Sequence, residues 1–138
     1  VLEFSRSLGL KLEDVLGQAD YVSLHVPLTS ETTHMLNEQT LNQMKQGAYL
    51  INTARGKIVD EVALVYALRT GKIAGAALDV WENEPDPRPE LLDMENVILT
   101  PHIASATFEA RRAMGEAAVK NLIEGLAGRV PPNLVKSS

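Results

Sequence analysis

The chain has 138 residues, of which 13 are Lys or Arg and 18 are Asp or Glu, so its formal net charge is −5. This length suits one compact domain with a buried core, and a hydrophobic fraction of 45% excludes a wholly disordered chain. The mild acidity argues against a nucleic-acid-binding protein, and the absence of Cys from the sequence excludes disulfides, thiolate metal sites and cysteine nucleophiles.

Two further features of the sequence are the length of its apolar runs and the residues with which it begins. No apolar run approaches the roughly 18 residues of a membrane span, so we expect no membrane partner, and a cytoplasmic location fits. The chain begins abruptly with Val1–Arg6, without a Met and without a cap or turn signal. This start predicts that the sequence lies within a longer polypeptide.

Predicted helices and strands alternate along the chain. In order they are a helix over 12–18, a strand over 21–24, a helix over 37–44, a strand over 48–52, a helix over 60–69, strands over 73–78 and 97–100, and a long helix over 107–127. Asp60 is a typical N-cap, and Gly71 follows the end of the same helix. The long helix carries a stripe that we expect to face inward, consisting of Ala110, Ala113, Met114, Ala117, Ala118 and Leu122.

This alternation predicts an α/β fold with a mostly parallel sheet and flanking helices. The predicted strands read as continuous apolar runs rather than as apolar–polar alternation. Such runs are typical of parallel strands that are buried on both faces.

Polar or conformationally restricted residues follow each predicted strand. They are His25–Pro27, Asn52–Gly56, Asp79 and Thr100–His102. Because ligands bind at the carboxyl ends of the strands in open α/β sheets, we expect Arg55, Asp79 and His102 to converge on one rim.

Each candidate residue also has a structural interpretation, which the sequence leaves open. Arg55 could be a surface charge at a turn, and Asp79 could be a turn residue or a cap. His102 could be an ordinary loop histidine, and Glu84 a solvated loop acid. The remaining histidines, at positions 25 and 34, are expected to be structural.

The functional interpretation rests on what these side chains do together. Histidine exchanges protons near neutral pH, and a neighbouring carboxylate, which Glu84 could supply, would hold the ring and favour its charged form. The Arg55 guanidinium matches a substrate carboxylate bidentately. A small carbonyl or hydroxyl compound with a carboxylate would fit between them. The sequence contains no metal-ligand cluster, no nucleophile elbow and no G-x-G-x-x-G, so the glycines themselves do not predict a dinucleotide site.

Four sequence blocks resemble the D-isomer-specific 2-hydroxyacid dehydrogenases. They are His25–Thr29 with Thr32, Ile51–Gly56, Gly75–Val80 with Glu84–Pro85, and Leu99–Ile103. The closing Pro131–Val135 is most similar to the glyoxylate and hydroxypyruvate reductase branch. The resemblance runs from about Leu12 to Val135, and its four blocks stand in order at natural spacings.

The resemblance implies a role for each matching residue. Arg55 would bind the substrate carboxylate and polarise the carbonyl, His102 would exchange the proton, and Glu84 would pair with His102 and keep it protonated. Asp79 would hold the nicotinamide carboxamide of NAD or NADP. The other cofactor-binding residues implied are Val26, Pro27, Thr32, Thr53, Ala54, Ala104 and Ser105, with Arg55 and His102 also on the nicotinamide side.

The resemblance also implies an incomplete domain. The family's glycine-rich loop and substrate domain would precede this region, so residues 1–105 resemble the second half of a Rossmann-type dinucleotide-binding domain. Residues 106–138 would form the long C-terminal helix and tail that lead toward the substrate domain. The strand at 21–24 would lack a neighbour, and we expect that edge to pair with another chain or with the rest of a longer polypeptide.

The predicted function is hydride transfer between a nicotinamide cofactor and a small 2-hydroxy or 2-oxo acid, with glyoxylate or hydroxypyruvate favoured. We expect a homodimer, and we expect the 138 residues alone to be inactive. Two alternatives stay open from the sequence: a dinucleotide-sensing interaction module of corepressor type, and an inactive truncated product.

Overall fold

The computed structural model describes residues 11–135, so Val1–Arg6, whose abrupt start predicts a longer polypeptide, lies outside the described residues. The described chain forms two compact units, of which one ends at His102 and the other begins at Ile103. The predicted domain boundary after Ser105 stays a prediction.

The described part of the first unit, residues 11–102, contains four strands, four α-helices and one 3₁₀ turn. In chain order they are α1 (Leu12–Leu16), β1 (Tyr21–Leu24), α2 (Glu38–Gln43), β2 (Ala48–Asn52), a 3₁₀ turn (Gly56–Ile58), α3 (Glu61–Arg69), β3 (Ile73–Leu78), α4 (Pro89–Leu92) and β4 (Val97–Leu99). The second unit contains α5 (Phe108–Leu126).

The four strands form one parallel sheet in the order β1-β2-β3-β4. At their carboxyl ends Leu24 pairs with Asn52, Asn52 with Leu78, and Leu78 with Leu99. The predicted α/β fold class is therefore confirmed, and the chain leaves all four strands at the same rim of the sheet.

The core lies on one face of this sheet. Leu50 of β2, Leu64 of α3 and Ile73 of β3 have no exposed surface and belong to one apolar cluster. Helix α3 packs against β3 and α2, which closes this face.

The predicted burial of both faces is wrong within the described chain. Alternate residues point away from the core, and Tyr21 and Ile98 are 70% and 66% exposed. Tyr49 stacks on Tyr21 and lies over Gly75, where a Cβ would come within 3.0 Å of the Tyr49 ring. The prediction was wrong because a run of Ala, Gly and Ile has the same sequence whether helices cover one face of the strand or both.

Local sequence signals set the helix starts. The Asp60 carboxylate accepts from the amides of Val62 and Ala63, as predicted for an N-cap. Helix α2 begins after Asn37, which forms a capping box with Thr40. The sequence did not predict α4, a single turn that begins at Pro89, a residue that is tolerated at the first helical position.

The inward stripe predicted for the long helix is also wrong, because α5 has no buried residue. The described part of the second unit offers no other helix to cover that stripe. None of the helices within residues 11–135 is both long and apolar enough to cross a membrane.

Candidate active site

The rim at the carboxyl ends of the strands carries the predicted polar residues. Arg55 follows β2, Asp79 follows β3 directly, and His102 follows β4. Because β2, β3 and β4 are adjacent and parallel, these three segments lie side by side, as the sequence predicted.

A hydrogen-bonded pair joins His102 to the loop after β3. The Nδ1 atom of His102 lies 2.8 Å from Oε2 of Glu84, and the two side chains are 48% and 36% exposed. This bond occupies Nδ1 and leaves Nε2 as the ring nitrogen for exchange of a proton with a ligand. The φ of His102 is 52°, a left-handed conformation that is uncommon for a residue other than Gly and that concentrates at functional sites.

Asp79 connects the three segments of the rim. Its amide donates to the Asn52 carbonyl, and its own carbonyl accepts from the His102 amide, both at 2.9 Å. Its carboxylate is buried and accepts from the Thr100 hydroxyl at 2.5 Å. Asp79 therefore holds the backbone of His102 in place, and its role toward a carboxamide stays a prediction.

Arg55 is presented on a loop that a buried side chain shapes. The Asn52 amide is 1% exposed, and it donates to the Arg55 carbonyl and accepts from the Ala54 amide, each at 3.0 Å. The Arg55 side chain is exposed, and its Nη1 donates to the Ala54 carbonyl. Sequence reasoning gave Asn52 no role, although an amide that ends an otherwise apolar strand was a usable signal.

Five of the ten predicted cofactor-binding residues line one cleft. An open cleft of about 610 Å³ is lined by His25, Val26, Pro27, Leu28, Thr53, Ala54 and Arg55. Its apolar wall after β1 and polar wall after β2 suit a flat base and a polar ribose, so the residues fit one part of a dinucleotide. The chain contains no G-x-G-x-x-G, so its residues offer no matching cradle for the pyrophosphate.

The other five predicted cofactor-binding residues are not among those that line this cleft; they are Thr32, Asp79, His102, Ala104 and Ser105. The Thr32 hydroxyl donates to the Pro27 carbonyl at 2.6 Å and accepts from the Thr29 amide at 2.8 Å, so it braces the loop that carries Pro27. Ala104 and Ser105 belong to the second unit. Their contact with a cofactor stays a prediction.

A close backbone contact joins the Arg55 loop to the Glu84 loop. A Cβ on Gly56 would lie 1.9 Å from the Trp81 carbonyl group and 2.6 Å from the Glu82 nitrogen. Only a residue without a side chain fits there.

We therefore expect Gly56→Ala to lower the free energy of unfolding by about 1–3 kcal/mol, as overpacking does. Gly115→Ala is the matched control. Gly115 lies in helix α5, and a Cβ added there would meet nothing within 4 Å. Thermal unfolding of both variants measures the difference. Equal behaviour of the two would contradict the contact.

A buried carboxylate lies behind the rim. Burial raises the pKa of Glu61, and the Glu82 charge adds to the rise, while the Glu82 amide and the Arg88 charge oppose it. A raised pKa means that the folded state binds the proton more tightly than the unfolded state does. The stability from this group is therefore complete below its unfolded-state pKa and falls as the pH rises through the folded-state value.

Replacing Glu61 with the neutral Gln removes the free-energy cost of burying a charged carboxylate, which is the part of the stability that depends on pH. We expect the difference in melting temperature, Glu61→Gln minus wild type, to increase as the pH is raised from about 4 to about 7, across the range where carboxyl groups titrate. Calorimetry at several pH values measures it. A difference that stays constant or decreases would show that burial does not dominate at Glu61.

Comparison with known proteins places this geometry in context. The sequence model for "D-isomer specific 2-hydroxyacid dehydrogenase, NAD binding domain" matches residues 4–104. The glyoxylate reductase of Thermofilum pendens is 58% identical over 125 residues, which cover 90% of this chain and 37% of that protein.

Two solved structures are also similar to this chain. The TT0316 protein from Thermus thermophilus superposes with a TM-score of 0.86 at 52% identity, covering 92% of this chain and 41% of that one. A D-isomer specific 2-hydroxyacid dehydrogenase from Xanthobacter autotrophicus Py2, in complex with NADPH and MES, has a TM-score of 0.79 at 42% identity, covering 91% and 51%. The chain spans about two fifths of the length of the curated relatives it matches.

Proposed function

The chain belongs to the D-isomer specific 2-hydroxyacid dehydrogenase family, and from that premise we propose that its complete gene product reduces a small 2-oxo acid with a nicotinamide cofactor. Glyoxylate is the preferred substrate, since relatives more than half identical are named glyoxylate reductases. Hydroxypyruvate, which carries the same 2-oxo carboxylate, is the second substrate proposed.

The observation that carries the proposal is the His102–Glu84 pair on the same rim as Arg55. A 2-oxo acid needs a cation for its carboxylate and a proton donor for its carbonyl oxygen. A guanidinium supplies the first, and an imidazole with one nitrogen held by a carboxylate supplies the second.

In the proposed reduction, each of these rim residues has a separate role. Arg55 binds the substrate carboxylate through two parallel hydrogen bonds and fixes the orientation of the neighbouring carbonyl. Nε2 of His102 donates a proton to the carbonyl oxygen, and Glu84 stabilises the imidazolium before that transfer. The reduced cofactor, NADH or NADPH, would supply the hydride to the carbonyl carbon and would leave as NAD⁺ or NADP⁺. In the reverse direction His102 takes the proton from the hydroxyl.

The cofactor contacts proposed for this chain come from the cleft lined by Val26, Pro27, Thr53, Ala54 and Arg55. A homodimer and a cytoplasmic location remain part of the proposal. The NAD-binding description of the family and the NADPH-bound relative together support a nicotinamide dinucleotide, NAD or NADP, as the cofactor.

Isotope transfer tests the proposed reaction. Glyoxylate is incubated with the complete gene product and NADH or NADPH deuterated at the transferred C4 position. The glycolate formed is expected to carry deuterium at C2. Glycolate without the label, or no glycolate with either cofactor, would reject hydride transfer to glyoxylate.

A further inference from the structure

We propose that Glu61 is a positioning residue that holds Glu84 against His102, an inference that rests on the proposed function. Glu61 is the first residue of α3 and is far in the sequence from both Glu84 and His102. Its carboxylate is 4% exposed, whereas the carboxylates of Glu82 and Glu84 are 20% and 36% exposed.

Two reciprocal hydrogen bonds join Glu61 to Glu82. The Glu82 amide donates to Oε1 of Glu61 at 2.7 Å, and the Glu61 amide donates to Oε1 of Glu82 at 3.0 Å. We call these two bonds the 61–82 clasp. It ties the start of α3 to the loop that carries Glu84.

The Glu61 carboxylate is not needed to cap its own helix. Asp60 accepts from the amides of Val62 and Ala63, and Glu82 accepts from the Glu61 amide. The hydrogen-bonding capacity of the Glu61 carboxylate is therefore directed at the loop rather than at α3.

Glu61 holds both ends of that loop. Oε1 accepts from the Glu82 amide, and Oε2 lies 3.7 Å from Nε of Arg88, which is buried and has no hydrogen-bond partner among the described residues. Segment 82–88 thus begins and ends at one carboxylate. The contact of Glu82 with His34 on the outer side, at 3.2 Å, is more exposed and contributes less.

The position of Glu84 follows from this anchorage. Glu84 is two residues after Glu82, and two residues span at most about 7 Å. The Gly56 contact fixes the Trp81–Glu82 backbone from the other side. A loop held at Glu82 and Arg88 presents the Glu84 carboxylate to Nδ1 of His102 before any ligand binds.

A double-mutant cycle in the complete gene product tests the proposal. We expect Glu61→Ala to lower kcat for glyoxylate about 10- to 100-fold, because a displacement of about 1 Å at a catalytic group can cost about 10²-fold. The KM for the cofactor stays unchanged. In a Glu84→Ala background the same change causes no further loss, since Glu61 acts through Glu84. Glu61→Gln, which keeps an acceptor for the Glu82 amide, retains more activity than Glu61→Ala.

The matched control is Glu90→Ala, which removes the other carboxylate beside Arg88 and leaves the clasp intact. It is expected to retain the wild-type kcat. In the protein without cofactor, the ¹⁵N resonance of His102 Nδ1 is expected to move in Glu61→Ala and to stay in place in Glu90→Ala.

An unchanged kcat in Glu61→Ala, or a loss that multiplies with that of Glu84→Ala, overturns the proposal. If Glu61→Ala does not fold, the same cycle is run with Glu61→Gln, whose loss must vanish in the Glu84→Ala background. An unchanged kcat in that variant also overturns it. Wild-type protein without reductase activity rejects the proposed function instead, so the two failures are distinguishable.

Discussion

Replacing His102 with Ala is expected to lower kcat for glyoxylate reduction about 10²- to 10⁴-fold, the usual contribution of a positioned general acid. The reason is the geometry of the ring: Nδ1 is held by Glu84 at 2.8 Å, so only Nε2 remains to protonate the carbonyl oxygen. In the proposed mechanism His102 acts on the carbonyl oxygen and has no contact with the dinucleotide phosphates, so we expect the KM for the cofactor to change little. Steady-state kinetics with the complete gene product measures both constants.

His34→Ala is the control for this experiment. His34 also lies beside a glutamate, at 3.2 Å from Glu82, and it also has a positive φ, of 50°. It does not directly follow a strand as the rim residues do, because β1 ends at Leu24, and the variant is expected to keep a nearly wild-type kcat. If both variants lose activity equally, or if His102→Ala retains the wild-type rate, His102 is not the proton donor.

Arg55→Met is expected to lower kcat/KM for glyoxylate about 10²- to 10³-fold, the size of effect that follows the loss of one preorganised donor. The variant keeps an apolar stem of similar length and removes the guanidinium. Arg55→Lys restores only part of the loss, because an ammonium cannot bind a carboxylate bidentately. Since the buried Asn52 shapes the loop and stays in place, we expect the fold to be retained.

The choice of substrate makes the Arg55 prediction specific. Acetaldehyde has a carbonyl and no carboxylate, so its slow reduction is expected to be equally slow in wild type and in Arg55→Met. Arg69→Met, at the exposed end of α3, is the control for loss of an arginine. An equal loss for glyoxylate and acetaldehyde would show that Arg55 does not recognise the carboxylate.

The sequence predicted the sheet and the rim because both follow from the direction of the chain. Four apolar runs separated by helical segments require parallel strands, and parallel strands bring Arg55, Asp79 and His102 to one edge. Asp60 predicted the start of α3 because an N-cap acts on amides only two and three residues away.

Features that depend on packing between distant residues were not predictable. The two faces of β2 differ because helices cover one of them, and nothing in its five residues records that. The stripe on α5 has the right period for burial but no covering layer in the described unit.

The 61–82 clasp could not be predicted from the sequence either, because it joins residues that are distant in the chain. Glu61 and Glu82 are 21 residues apart, and no spacing rule relates them. In sequence Glu61 is an ordinary acidic residue in the first turn of a helix, and only the structure reveals that its carboxylate accepts from another loop.

The most direct test of the account is the structure of the complete gene product with NAD or NADP and oxamate, an unreactive analogue of a 2-oxo acid. The account predicts that the Arg55 guanidinium pairs with the oxamate carboxylate and that Nε2 of His102 lies within hydrogen-bond distance of its amide carbonyl oxygen. Oxamate bound away from this rim, or Arg55 and His102 contacting different molecules, would contradict it.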